Sequence, residues 1–178
     1  MKREPIYGMM AEFDTPQALV EAARSTYAAG YKKIDAYSPF PIEGLAEEIG
    51  FHHNRVPLVV LIGGIIGGIT GYTMQYWMAA VNYPINVGGK PLNSWPAFIV
   101  ITFEMTILFA GLSAVFGMLA LNGLPMPYHP VFNVPRFALA SKDRFFLIVF
   151  SSDAKYDAAG TRSFLEGLKP RSISEVPS

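Results

Sequence analysis

The fold is decided by PLVVLIGGIIGGITGYTMQYWMAAV (57–81) and PAFIVITFEMTILFAGLSAVFGMLAL (96–121), two long apolar runs in the middle of the chain. The first has 25 residues and no formal charge, and the second has 26 residues with one charge, Glu104. A helix needs about 20 apolar residues to cross a bilayer. Buried helices of soluble proteins rarely stay uncharged over this length. The pattern therefore predicts two transmembrane helices, at about residues 57–81 and 96–121.

A short linker, residues 82–95, joins the two runs and is rich in residues that form turns: Pro84, Asn86, Gly88, Gly89, Pro91 and Asn93. So short a connection makes the helices antiparallel neighbours in a transmembrane hairpin. Aromatic residues flank the linker, as in the belts at membrane surfaces: Tyr76, Trp77, Tyr83 and Trp95. The linker has one cation, and more lie on the opposite flanks: Arg55, Arg136, Lys142 and Arg144. The positive-inside rule then places both chain termini in the cytoplasm.

Composition excludes several classes of function. The 178 residues carry 14 basic and 14 acidic side chains, so a strongly basic surface for nucleic acid is not expected. The chain has no cysteine, which excludes disulfides, thiolate nucleophiles, iron–sulfur ligation by Cys and covalent haem attachment. No phosphate loop, Gly-x-Ser-x-Gly, Gly-x-Gly-x-x-Gly or His/Glu metal spacing occurs, so we expect no catalytic, cofactor-binding or metal site.

The predicted hairpin, residues 56–122, interrupts a second unit built from residues 1–55 and 123–178. Neither flank alone is long enough for a sizeable core, but together they match one small domain. The first flank predicts a strand at 6–13, a helix that starts at Thr15 and Pro16, and a strand at 34–37.

The second flank repeats this plan, with a strand at 145–150, a helix at 158–168 and a strand at 172–176. Two β–α–β halves packed in one sheet predict an α+β cytoplasmic domain, a ferredoxin-like split βαβ sandwich with an inserted transmembrane hairpin. We also expect a short helix at 43–49 and an additional strand at 137–140. The proline-rich segment 124–135 is expected to be extended.

Five glycines mark one side of the first predicted transmembrane helix: Gly63, Gly64, Gly67, Gly68 and Gly71. In lipid, helices associate by close packing, which glycine permits. This face can pack on the second helix of the hairpin, which offers Gly111, Ser113, Ala114 and Gly117. It can also dock on another membrane subunit, and its breadth favours both uses.

Glu104 is the one carboxylate in the predicted transmembrane helices. A charge at a helix centre costs about 2.5–3.5 kcal/mol on insertion scales, so such a residue is usually paired, protonated or near water. In an antiparallel hairpin the facing residues lie near 73–75, which makes Gln75 the expected partner. A proton-relay role for Glu104 is an alternative. A haem ligand at His52 or His53 would need a second histidine in the helices, and His129 is expected to be a packing or interface residue.

Several stretches together resemble a known family. They are Tyr7-Gly8, Ser38-Pro39-Phe40-Pro41-Ile42, the linker YPINVGGKPLNSWPAF (83–98), LPMPYHPVF (124–132) and Asp143-Arg-Phe-Phe-Leu. With the glycine-rich and Glu-bearing helices, they resemble the small two-transmembrane-helix subunit of bacterial alternative complex III, a quinol-oxidising respiratory complex. The resemblance covers nearly the whole chain, and the linker and Pro-Tyr-His-Pro are its most specific parts.

The resemblance implies a structural component of the bacterial inner membrane that binds no cofactor. Haem, iron–sulfur clusters and quinol would then be bound by partner subunits, among them large multi-helix membrane proteins. No catalytic residue is carried over from the family. Two other functions stay open from the sequence: a proton pathway through Glu104, and a standalone membrane-anchored sensor of a small ligand.

Overall fold

The computed structural model describes residues 6–178, which divide into two compact units. The α+β unit consists of residues 6–53 and 127–178, and the hairpin unit consists of residues 54–126. The chain therefore leaves the α+β unit once and returns to it once.

The regular elements follow in chain order: β1 (Ile6–Phe13), α1 (Pro16–Ala28), β2 (Ile34–Tyr37), α2 (Leu45–Glu48), α3 (Val56–Tyr76), α4 (Trp95–Leu121), β3 (Phe145–Phe150), α5 (Ala158–Gly167) and β4 (Ser172–Pro177). A π-helical turn at Trp77–Asn82 extends α3, and two 3₁₀ segments, Pro130–Asn133 and Pro135–Ser141, precede β3. The four predicted strand positions at 6–13, 34–37, 145–150 and 172–176 are confirmed.

The four strands form one antiparallel sheet in the order β2-β3-β1-β4. The central pair, β1 and β3, places Met10 opposite Ile148 and Phe13 opposite Phe145. β3, from the second flank of the chain, lies between the two strands of the first flank. β1 in turn lies between the two strands of the second flank, so neither flank forms a continuous sheet alone.

Both sides of the central strands are buried, because side chains alternate along a strand. One side packs on α1 and α5 through an apolar cluster that includes Met9, Ala11, Leu19, Leu147 and Leu165. The other side packs on the two 3₁₀ segments through Met10, Val131, Val134, Phe137, Phe146 and Ile148. This double burial explains why β3 is a continuous apolar run rather than an alternating one.

Local sequence signals determine where the helices start. Thr15 caps α1 by accepting a hydrogen bond from the backbone N–H of Ala18, and Pro16 occupies the first turn, as predicted. Asp157 caps α5 in the same way by accepting from the N–H of Gly160 at 2.7 Å. Gly30 follows α1 with φ at 99°, the left-handed conformation that favours glycine after a helix.

The prediction of a strand at residues 137–140 is wrong, because these residues belong to the 3₁₀ segment Pro135–Ser141. Pro135 starts this segment, and Phe137 packs edge-on against Tyr37 at 5.0 Å between ring centroids. The segment therefore covers the sheet instead of joining it. The extended conformation expected for 124–135 is also interrupted by the 3₁₀ turn at Pro130–Asn133, and the helix expected at 43–49 is a single turn, α2.

A buried ion pair fixes the same side of the sheet. Glu12 is 1% exposed and accepts two hydrogen bonds from the Arg136 guanidinium, each 2.6 Å long. Ser172 donates a third, at 2.8 Å. The hydrogen bond from Arg136 is the main cause of a lowered pKa of Glu12, and it outweighs the opposing effect of burial. Glu12 thus joins β1 to β4 and to the 3₁₀ segment above the sheet.

A second carboxylate links the two flanks of the chain through backbone groups. Asp153 accepts hydrogen bonds from the N–H groups of Lys32, Lys33 and Lys155 at 2.6–2.8 Å. Burial is the largest single influence on its pKa and acts to raise it. The three N–H groups and the charge of Lys33 together outweigh burial, so the pKa of Asp153 lies below its usual value.

We expect Glu12→Gln to destabilise the α+β unit, because the amide cannot replace the charged, two-point contact with Arg136. The expected loss is about 2–3 kcal/mol, below the roughly 3–5 kcal/mol for breaking a fully buried pair, since Arg136 is half exposed. Hydrogen exchange of β1 peptides, measured by mass spectrometry on the full chain, should accelerate about 30- to 150-fold where exchange requires unfolding.

The same contact has a defined pH dependence. Because the pKa of Glu12 is lower in the folded protein, its stabilising effect is complete above the ordinary value of 4.5 and is lost as pH falls through the folded value. The difference between Glu12→Gln and wild type should therefore shrink in acid. Glu166→Gln, which removes an exposed pair with Arg162, is the matched control. It should change neither the exchange rate of β1 peptides nor the pH dependence of that rate. Equal exchange rates in Glu12→Gln and wild type at neutral pH would contradict this account.

Candidate docking interface

The hairpin unit is held together by the glycine face of α3. At Gly67 an added Cβ would collide with the carbonyl oxygen of Met105 and lie 2.7 Å from the Cβ of Phe109. At Gly71 it would lie 3.0 Å from the Cα of Thr102. The distances at Gly67 are shorter than side chains tolerate, and the distance at Gly71 is tighter than most Cβ contacts, so glycine lets the backbones of α3 and α4 approach this closely.

The remaining glycines lie along the same contact. An added Cβ at Gly63 would collide with Ser113, and one at Gly68 would lie 3.0 Å from the Oγ1 of Thr106. At Gly64 it would lie 3.6 Å from the Cβ of Ala110, which is ordinary contact. All five glycines therefore face α4. The structure uses this face within the hairpin, and docking of the same face on another subunit stays a prediction without support from this geometry.

On α4, the residues in contact with α3 recur every three or four positions: Phe98, Thr102, Met105, Phe109 and Ser113. Only Ser113 among them was expected from the sequence, although the spacing of three and four is the signal that finds such a stripe. Gly117 packs on Val59, in line with expectation. Gly111 does not pack on α3, because a Cβ added there would meet nothing within 4 Å. That part of the expectation is wrong.

Gln75 connects the helices near the linker end of the hairpin. It is 8% exposed, and its Nε2 donates to the carbonyl oxygens of Gly71 and Phe98, each at 3.0 Å. The same nitrogen lies 3.3 Å from the Oγ1 of Thr102. A polar side chain placed in this way satisfies its hydrogen bonds between helices, which makes it a structural residue.

The expectation that Gln75 pairs with Glu104 is wrong in this structure. Gln75 faces Thr102, and Glu104 comes two residues later, about 200° around the helix. The Glu104 side chain is therefore exposed on the opposite side of α4. Within residues 6–178, it takes part in no hydrogen bond or ion pair. The polar side chains that the sequence predicted to form one pair thus have separate environments.

The linker end of the hairpin is held by short polar contacts. The Tyr72 hydroxyl donates to the Oδ1 of Asn93 at 3.1 Å, and the Ser94 hydroxyl donates to the carbonyl oxygen of Pro91 at 2.7 Å. Large aromatic side chains nearby are exposed: Trp77, Tyr83 and Trp95. This exposure agrees with the predicted aromatic belt.

The three histidines lie in different surroundings. His129 lies 3.4 Å from the Tyr7 hydroxyl, and its Nδ1 accepts a hydrogen bond from the N–H of Val131, so it is a packing residue as expected. His52 and His53 are exposed. Across the part of the chain that the structure describes, no three His, Cys, Asp or Glu side chains are grouped so that they could hold a metal ion.

These features define a class of protein: a small membrane component with an α+β unit and a hairpin of two helices, Val56–Asn82 and Trp95–Leu121, each long and apolar enough to cross a bilayer. The family model for the ActD subunit of alternative complex III matches residues 7–175. The chain therefore belongs to this family and is a subunit of a respiratory electron-transport complex. No curated protein matches the chain.

The contact between Gly64 and Ala110 can be tested directly, because the chain has no cysteine of its own. A Cβ at position 64 would lie 3.6 Å from that of residue 110, within the roughly 3.5–4.5 Å that a disulfide requires. We expect Gly64→Cys with Ala110→Cys to form an intramolecular disulfide on mild oxidation in membranes, measured by intact mass and non-reducing electrophoresis.

The control pair is Gly64→Cys with Gly111→Cys, which places the second thiol on the far side of α4 and should stay reduced. Adding Gly67→Leu to the first pair should lower the disulfide yield, since leucine cannot fit against the Met105 carbonyl. Equal yields from the two pairs would show that α3 and α4 do not pack through the glycine face.

Proposed function

We propose that this chain is a non-catalytic, cofactor-free subunit that assembles and stabilises alternative complex III, a quinol:electron acceptor oxidoreductase. The family match over residues 7–175 carries the proposal. The absence of cysteine from the sequence supports it, because no thiolate is present to bind iron–sulfur clusters or to attach haem. Haem, iron–sulfur clusters and quinol then belong to partner subunits, among them large multi-helix membrane proteins.

The proposed fold is a ferredoxin-like split βαβ sandwich with the hairpin inserted between its halves. The interleaved strand order supports it, because each β–α–β half has its two strands separated by a strand of the other half. The proposed location is the bacterial inner membrane, with the linker at the periplasmic face and both termini in the cytoplasm. The distribution of positive charge supports this orientation.

The surface of the hairpin supports a role in assembly. Large apolar side chains are exposed along both helices, among them Leu61, Ile65, Ile69, Phe103 and Phe116. In a membrane, such a surface is covered either by lipid or by the helices of other subunits. Since the glycine face is filled by α4, contacts with other subunits would use this outer surface.

The experiment that tests the proposed function is purification through a tag at Ser178 after gentle extraction of native membranes. We expect haem absorption in the visible spectrum and several larger membrane proteins in fixed proportion to this chain. A colourless preparation with a single 19.5 kDa band would contradict the proposal and favour a standalone sensor. Chemical crosslinking before extraction is the control for loss of partners in detergent.

The exposed carboxylate of Glu104 favours one alternative, a proton pathway through this chain. Glu104 has no partner among the described residues, and an unpaired intramembrane carboxylate is typical of proton relays. The ratio of protons moved to electrons transferred distinguishes the two functions in a purified Glu104→Gln complex. A lower ratio in a complex with its full set of subunits would favour the proton pathway.

A further inference from the structure

The side of α4 that faces away from α3 has its own pattern. Glu104 follows Thr102 by two residues and Gly111 follows Phe109 by two, so each lies about 200° around the helix from a residue that contacts α3. Glu104 and Gly111 are seven residues apart, which places them on the same side of α4 and about 10 Å apart along it. We call this side the outer stripe: Ala97, Val100, Glu104, Leu108, Gly111 and Val115.

Glu104 is a carboxylate that the hairpin itself does not satisfy. It lies nine residues after Trp95, about 13 Å along a 27-residue helix. Within the described chain it has no hydrogen-bond or ion-pair partner. Because lipid tails offer no donor, a group from outside the hairpin would offset the cost of holding this carboxylate in hydrocarbon.

Gly111 points to a helix as the source of that group. A Cβ added at this position would meet nothing within 4 Å among residues 6–178, so the glycine is not required by the packing of the hairpin. Glycine on an exposed side of a transmembrane helix lets a neighbouring backbone approach closely. If Glu104 faced a water-filled path, no backbone would need to approach α4 closely at Gly111, one heptad away.

We propose that the outer stripe of α4 docks on a transmembrane helix of a neighbouring subunit, which presents a Lys or Arg side chain to Glu104 and packs closely at Gly111. This inference rests on the proposed function as a component of the complex. A basic side chain is the partner that best suits a carboxylate in a medium of low dielectric constant, because the opposite charge offsets the loss of water. A second copy of this chain does not offer one, since symmetric docking through the outer stripe brings two Glu104 side chains together.

The first test uses a photo-crosslinking amino acid at Leu108, between Glu104 and Gly111, in the complete complex in native membranes. We expect one crosslinked product, in which mass spectrometry identifies a peptide from a transmembrane helix of another subunit with Lys or Arg. Crosslinks only to lipid, only to a second copy of this chain, or to a helix without a basic residue would overturn the proposal.

The second test compares how much of this chain stays with the complex during a detergent challenge. We expect Glu104→Leu and Gly111→Leu to lower retention at least tenfold, because the first removes a buried charge pair and the second blocks close approach. Thr73→Leu is the control, since it removes an exposed polar side chain of α3 and should keep wild-type retention. Retention of Glu104→Leu equal to that of Thr73→Leu would overturn the proposal.

Two further measurements distinguish a failure of the docking proposal from a misfolded hairpin and from a failure of the proposed function. The disulfide between cysteines at 64 and 110 should form normally in Glu104→Leu and Gly111→Leu, which would show that the hairpin itself still folds. Glu104→Lys combined with an acidic substitution of the crosslinked basic residue should restore retention. If the wild-type chain purifies alone, the proposed function fails. If it purifies with the complex and these variants do too, only the docking proposal fails.

Discussion

The hairpin depends on the close approach of α3 and α4 that glycine permits. In lipid, two apolar helices gain little from hiding their side chains from one another, because the surrounding chains are equally apolar. Association then comes from contact between backbones, and Gly67 and Gly71 bring α3 against the backbone of α4. This contact occupies the face of α3 that is best suited to helix packing. The surface that remains for contacts with other subunits is therefore the outer sides of the two helices.

The α+β unit is constrained in a different way, by the interleaving of its two flanks. β3 lies between β1 and β2, so the first flank of the chain has no continuous sheet until the second has been made. Asp153 and Glu12 reinforce this dependence, because each carboxylate binds groups of the opposite flank. The flanks can pair only after the hairpin segment between them has been synthesised. A break in the hairpin would therefore separate two halves that need each other to fold.

Sequence patterns predicted the strands and the helix starts because their signals are local. β3 is a run of β-prone residues, and Thr15 with Pro16 caps a helix wherever it occurs. The signal at 137–140 is also local, but there tertiary packing prevails, since Phe137 fills the apolar side of the sheet from a 3₁₀ segment. The site was predicted less well. The sequence identifies the five glycines, but the predicted pairing of Gln75 with Glu104 is wrong, because depth along the helices does not give the direction of each side chain around its helix.

The composition of α4 is so uniformly apolar that it does not show the direction in which each side of the helix faces. Nearly every position suits lipid, so hydrophobicity alone does not show which side faces α3 and which faces outward. The exceptional residues do show it: Thr102 and Ser113 lie at the contact with α3, and Glu104 and Gly111 lie opposite. In water, a polar residue on a helix usually marks the solvent side. In lipid, a polar residue instead marks a side that contacts protein or water, since a carboxylate is costly there unless protein or water satisfies it. The exposed side chain of Glu104 therefore marks the surface of α4 with the strongest physical requirement for a partner.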